Sequence, residues 1–124
     1  MSVSEKYLRD LLRRVVSWKA YGTCEWPTCN STICDPHHYF SRDNNAIRWD
    51  ADSCLWLCQT HHVGTISAHH EPMIFEAVII YYQIRTIEWL QSVIEKRNLV
   101  VKDTPVYRQK CKWKLLAELG RMAA

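Results

Sequence analysis

A small α+β protein is what this chain of 124 residues predicts, with short strands and turns at its centre and helices at both ends. Three observations lead there. Apolar residues recur at helical spacing over residues 2–19 and again beyond Pro72. Between Gly22 and Pro72 the composition turns to Cys, His, turn-formers and short aromatic runs. The same middle segment carries two pairs of metal-type ligands. The length allows one domain, divided into an N-terminal helix (residues 1–21), a metal-bound core (22–72) and a helical C-terminal part (73–124).

The 48% hydrophobic share, with six Trp and six Tyr, excludes a disordered chain. No charged leader runs into an apolar segment, and no apolar run reaches the roughly 18–20 residues that cross a bilayer. A cytoplasmic protein without a membrane partner is expected. In that reducing compartment six Cys read better as metal ligands and buried thiols than as disulfides.

The first helix should begin at a capping box, Ser2-x-x-Glu5, and turn Tyr7, Leu8, Leu11, Leu12, Val15 and Trp18 inward until Gly22 stops it. Its other face carries Lys6, Arg9, Arg13 and Arg14, which suit either a solvated surface or contact with phosphates. Cys24-x4-Cys29, with Trp26-Pro27-Thr28 as a knuckle, and Cys58-x2-His61 form two chelating pairs. Four thiolate and imidazole donors suit tetrahedral structural zinc. Competing quartets would use Cys34 or Cys54, although Cys54 sits in an apolar run where Cys often behaves as a small buried hydrophobe. His37, His38 and His62 remain free for a hydrated cation, and His69 and His70 lie beyond the expected ligand turn.

Residues His37 to Phe40 and Leu55 to Leu57 are too short for helices and read as strands, with a loop from Ser41 to Asn45 between them. Pro72 opens a helix expected to run to residue 97, kinked near Gln83, with Ile84, Ile87, Leu90 and Ile94 on its apolar stripe. An apolar surface of this size is also the kind that buries itself in a homodimer. Thr104-Pro105 starts the last helix, with Tyr107, Cys111, Leu115 and Leu119 inward and Arg108, Lys110, Lys112 and Lys114 more exposed. Residues 1–19 hold five basic against two acidic residues, 20–72 two against six, 73–101 three against three and 102–124 six against two. Basic ends thus flank an acidic middle, which suits a site whose cations offset that charge between phosphate-holding arms. No Gly-rich phosphate loop is present, so nucleoside triphosphate use is not indicated.

The order Asp35-x-His37-His38, then Ser53, then Cys58-x2-His61-His62 resembles the HNH endonucleases, in which a zinc-stapled treble clef carries a ββα-metal motif. The segments His38-Tyr-Phe-Ser-Arg42, Arg48-Trp-Asp50 and Leu57-Cys58 are most similar to phage recombination endonucleases of the Rap (NinG) type. The resemblance covers about residues 22 to 72. It implies a metal-dependent DNA endonuclease, in the host cytoplasm if phage-encoded, and leans toward branched recombination intermediates as substrate, while restriction-like or nicking activity fits the same residues. By resemblance His38 is the general base, and His37 and His62 hold a catalytic divalent cation (Mg, Mn, Ni or Zn). Cys58 and His61 fall on the second zinc pair. Asp35 is placed to orient a ligand or the hairpin, and Arg42, Arg48, Lys110 and Lys114 are candidate DNA contacts.

One departure stands out: Ser53 occupies the position of the family's middle Asn, which holds the hairpin loop and orients the base. A hydroxyl is shorter than an amide and has fewer fixed directions. Asn44, Asn45 or Asp52 could substitute, and Ser53→Asn is expected to leave folding intact. The departure also favours an alternative, a zinc-structured DNA-binding or adaptor module without catalysis.

Overall fold

The computed structural model of the protein describes residues 3–64 and 67–123. Among them six α-helices surround one two-stranded antiparallel sheet, the α+β class expected.

Helix α1 spans Glu5–Lys19. Its N-cap is Ser4, whose hydroxyl accepts from the Tyr7 amide at 3.1 Å, so the expected cap at Ser2 moves two residues along. Ser2 itself lies outside the described residues. Leu8, Leu11, Leu12, Val15 and Val16 are buried, whereas Tyr7 and Trp18, expected inward, are 41% and 55% exposed. They sit at the edges of the apolar stripe, where α1 meets the sheet and α6 along a narrower face than its spacing suggests. Past Ala20 the chain turns through Tyr21 and Gly22, both with positive φ (54° and 71°), and the Gly22 amide donates to Ser17 O at 2.8 Å.

Strand β1 (Cys34–His38) pairs with β2 (Cys54–Cys58), with His38 opposite Cys54 and Cys34 opposite Cys58. All five residues of β2 are buried. Pro36, which has no amide to donate, is tolerated because β1 is an edge strand. The hairpin connection holds the short helix α2 (Asn45–Arg48) and a 3₁₀ turn (Ala51–Ser53). Helix α3 (Gln59–Val63) follows β2 directly.

The helix expected over residues 73–97 is two helices, α4 (Pro72–Tyr81) and α5 (Ile87–Arg97). Gln83 takes a positive φ of 57°, and Thr86 caps the new helix by accepting from the Trp89 amide at 3.0 Å. This break also shifts the phase of the apolar stripe. Ile87 and Ile94 are 58% and 38% exposed, and Val93 is the residue buried instead. Arg85 in the connection forks onto Glu25 at 2.7 and 3.2 Å and donates to Cys54 O at 3.1 Å, fastening the break to the metal-binding knuckle. Helix α6 (Pro105–Ala123), capped by Thr104 on the Tyr107 amide, lies against α1 with Leu115 fully buried. No helix among the described residues is long and apolar enough to cross a membrane.

Candidate functional site

Cys24, Cys29, Cys58 and His61 converge as their spacing predicts, with ligand atoms all within 4.8 Å of one another. Cys24 and Cys29 come from the knuckle after α1, Cys58 from the end of β2 and His61 from α3, one helical turn later. Cys29 and Cys58 Sγ atoms are 3.9 Å apart, and Cys24 Sγ lies 3.6 Å from His61 Nδ1. A tetrahedron with Zn–S of about 2.3 Å and Zn–N of about 2.0–2.1 Å has edges of about 3.8 and 3.5 Å. These two edges match a zinc-sized tetrahedron, Cys58 Sγ lies closer to His61 Nδ1 at 3.2 Å, and the cluster could hold such an ion.

Burial pushes the Cys24 thiol up to about 12. Burial acts the same way on Cys58, but the His61 amide, the neighbouring thiols and the Thr60 amide outweigh it and hold that thiol below its ordinary value. A bound cation would displace the thiol protons. Trp26 stacks on the His61 ring at 5.0 Å and on Phe75 at 5.5 Å, closing the cluster from one side. The competing thiols are outside the quartet, although Cys34 lies beside it, opposite Cys58 in the sheet. Cys34 donates to Ser31 O, and Cys54 is 1% exposed with its thiol on Asp50 O.

A second cluster joins His37 and His62 to His69. Ring centroids lie 5.0 Å (His37 to His62), 5.2 Å (His37 to His69) and 4.8 Å (His62 to His69) apart. His69, ranked below His62 by sequence, is brought in because the chain folds back on α3. The Ala68 and His69 amides donate to the carbonyls of His61 and His62, and Ser67 Oγ donates to Gly64 O. Gly64 is required by close approach: a Cβ there would meet Thr60 O at 2.3 Å. His37 is 7% exposed, and its buried Nδ1 has no hydrogen-bond partner among the described residues. Burial, then the neighbouring His62, His69 and His38, lowers its pKa to about 3, so the ring is neutral. Three imidazoles, one with an orphaned buried nitrogen, could hold a divalent cation that accepts nitrogen ligands.

His38 is not in either cluster. Its Nε2 lies 2.9 Å from Arg48 O. A carbonyl can only accept, so Nε2 carries the proton and Nδ1 keeps the lone pair in the neutral ring. Burial lowers the His38 pKa, the charges of Arg42 and Arg48 add to that, and the Arg48 carbonyl and Asp50 oppose it. His38 opens into a cleft of about 320 Å³ that it shares with Asp35, His62 and the arginines 9, 13, 42 and 48. His62 thus borders both the imidazole cluster and the cleft. Asp35 is exposed and paired with Arg13. Arg48 is paired with Glu5 at 3.2 Å and lies over Trp49.

The expected DNA contacts divide. Arg42 and Arg48 line the cleft, joined by Arg9 and Arg13 from the basic face of α1. Lys110 and Lys114 border a different pocket, beside α5, where Lys114 reaches Asp50 at 3.1 Å. Ser53 is fully buried; its hydroxyl donates to Asp50 at 2.5 Å and its carbonyl accepts from the Tyr39 amide at 3.0 Å. It therefore ties the hairpin loop, and no bond runs from it to His38. The candidate substitutes are engaged as well. Asn44 and Asn45 donate to Arg97 O and Val101 O, and Asp52 pairs with Lys19 at 2.5 Å. Comparison with known family models, curated proteins and solved structures found no match for this chain.

Proposed function

We propose that the protein is a metal-dependent DNA endonuclease of the HNH type, built on a zinc-stapled treble clef. The observation that carries this reading is the placement of His38, its Nδ1 lone pair free, in an arginine-lined cleft that borders the cluster of His37, His62 and His69. In this mechanism His38 Nδ1 takes a proton from water as that water attacks the scissile phosphorus and the bond to the 3′ oxygen breaks. A divalent cation on His37, His62 and His69 would stabilise the crowded phosphate oxygens and the leaving oxygen. Arg42, Arg48, Arg9 and Arg13 hold the flanking phosphates, and Arg48 also fixes the His38 tautomer through its carbonyl. The Cys24, Cys29, Cys58 and His61 ion holds the hairpin and α3 together and takes no part in chemistry.

By resemblance, branched recombination intermediates are the substrate. Incubating the protein with plasmid, branched, duplex and single-stranded DNA under Mg, Mn, Ni and Zn tests the reading. Cleavage that depends on the added cation and is lost in His38→Ala is expected. Ser53 motivates the second reading, a zinc-structured DNA-binding module: its hydroxyl is spent on Asp50, leaving the base-orienting part of the family's Asn role unfilled. DNA binding with no cleavage under any cation would favour that module.

A further inference from the structure

We propose that the groove between α1 and α6 beside Trp18 binds unpaired DNA and leads it into the His38 cleft. This rests on the nuclease reading only for the direction of travel. The groove, about 730 Å³, is lined by Arg13, Arg14, Trp18 and Trp56 with apolar residues of α6, and no carboxylate lines it. Arg13 lines both the groove and the His38 cleft, so the two adjoin at that residue.

The placement follows from helix geometry. Arg9, Arg13 and Ser17 succeed one another at four-residue steps on α1, with Arg14 and Trp18 on the adjacent row. At a rise of about 1.5 Å per residue, Arg9 and Trp18 are about 14 Å apart along the axis. Arg13 is fixed rather than loose: it bonds Cys34 O at 2.8 Å, pairs with Asp35 and lies 5.1 Å over the Trp56 ring. Arg14 and Arg9 have no ion-pair partner among the described residues. Trp18 is 55% exposed, whereas the core of α1 is closed. Trp56 is 4% exposed, and its indole N–H has no acceptor among the described residues, where buried indoles ordinarily find one.

Guanidinium groups and an exposed indole are the two parts of a single-strand site: the first track phosphates, and an aromatic face stacks an unpaired base. A duplex keeps its bases stacked on one another and offers Trp18 nothing. A branched molecule supplies both parts, with duplex at the cleft and an unpaired strand along α1.

Fluorescence anisotropy with a short labelled oligo(dT) and a blunt duplex, in the His38→Ala background, tests this. Trp18→Ala should weaken oligo(dT) binding about tenfold, the worth of one stacked base. Duplex binding should change little, and Trp18→Phe should retain most of the affinity. Unchanged oligo(dT) affinity in Trp18→Ala, or an equal loss on the duplex, overturns the proposal. If the His38→Ala background still cuts DNA, the assigned base is wrong, while anisotropy read before cleavage still decides the groove.

Discussion

The two metal-type clusters differ in ways that, in the proposed reading, separate holding from acting. The Cys24, Cys29, Cys58 and His61 set has four donors, three of them thiols, and is covered by Trp26 and Phe75. The His37, His62 and His69 set has three nitrogen donors, runs from a buried ring to an exposed one, and shares His62 with the cleft of His38. A shell filled by the protein leaves a zinc ion no open position, whereas three imidazoles leave room for water or phosphate. Both clusters draw on α3, so one short helix couples the staple to the site.

The widest separation should come from removing a donor on each side. Cys58→Ser is expected to abolish stoichiometric zinc and cooperative melting together, since structural zinc contributes about 10–16 kcal/mol where the ligands are unordered without it. Metal analysis beside thermal circular dichroism checks this, and chelator treatment of the wild type should give the same loss. A Cys58→Ser protein that keeps one zinc and a sharp melt would mean the quartet is misassigned.

On the other side, His38→Ala should retain zinc, melting behaviour and DNA affinity and lose turnover by about two to four orders of magnitude. His69→Ala and His62→Ala should lose activity through weaker cation binding, so raising the cation concentration restores part of it, as it cannot for His38→Ala. Rates measured across a cation titration distinguish the two patterns. Near-normal turnover in His38→Ala, with contaminating nuclease excluded, would remove the proposed mechanism.

The pH profile follows with a smaller effect. In the proposed mechanism the active form of His38 is the neutral ring, and burial beside Arg42 and Arg48 holds its pKa below the ordinary imidazole value. Turnover should therefore be flat through neutral pH and fall only below about 6.5, the reference for free imidazole. A fall that begins above that value would point to a different titrating group.

The smallest expected effect concerns Ser53. Its side chain is fully buried against Asp50, so the larger amide of Ser53→Asn has no room, and the sequence expectation of an intact fold is revised. A loss of about 1–3 kcal/mol, typical of overpacking, is expected in urea denaturation. An unchanged midpoint would show that the 3₁₀ turn yields and that an Asn is compatible with this hairpin.

Features that depend on near neighbours were legible in the chain. Cys24 with Cys29, and Cys58 with His61, are chelating pairs because a turn spans each of them, and Pro72 and Thr104 mark helix starts because first-turn proline and hydroxyl capping act within one turn. The strand at Leu55 was visible as a short apolar run, whereas the strand expected over His37 to Phe40 lies earlier, at Cys34–His38, because its register with β2 and not the aromatic run sets it. What required the folded molecule is whatever depends on rotation between elements. His69 belongs to the imidazole cluster only because Ser67, Ala68 and Gly64 turn the chain back on α3. Arg9 and Arg13 become cleft residues only because α1 lies beside β1, and α5 buries Val93 in place of Ile87 and Ile94 because Gln83 resets the helix phase. The residues themselves determine local spacing and preferred dihedrals; only packing selects which faces meet, since burying one face of a helix rather than another is settled by the partner it lies against.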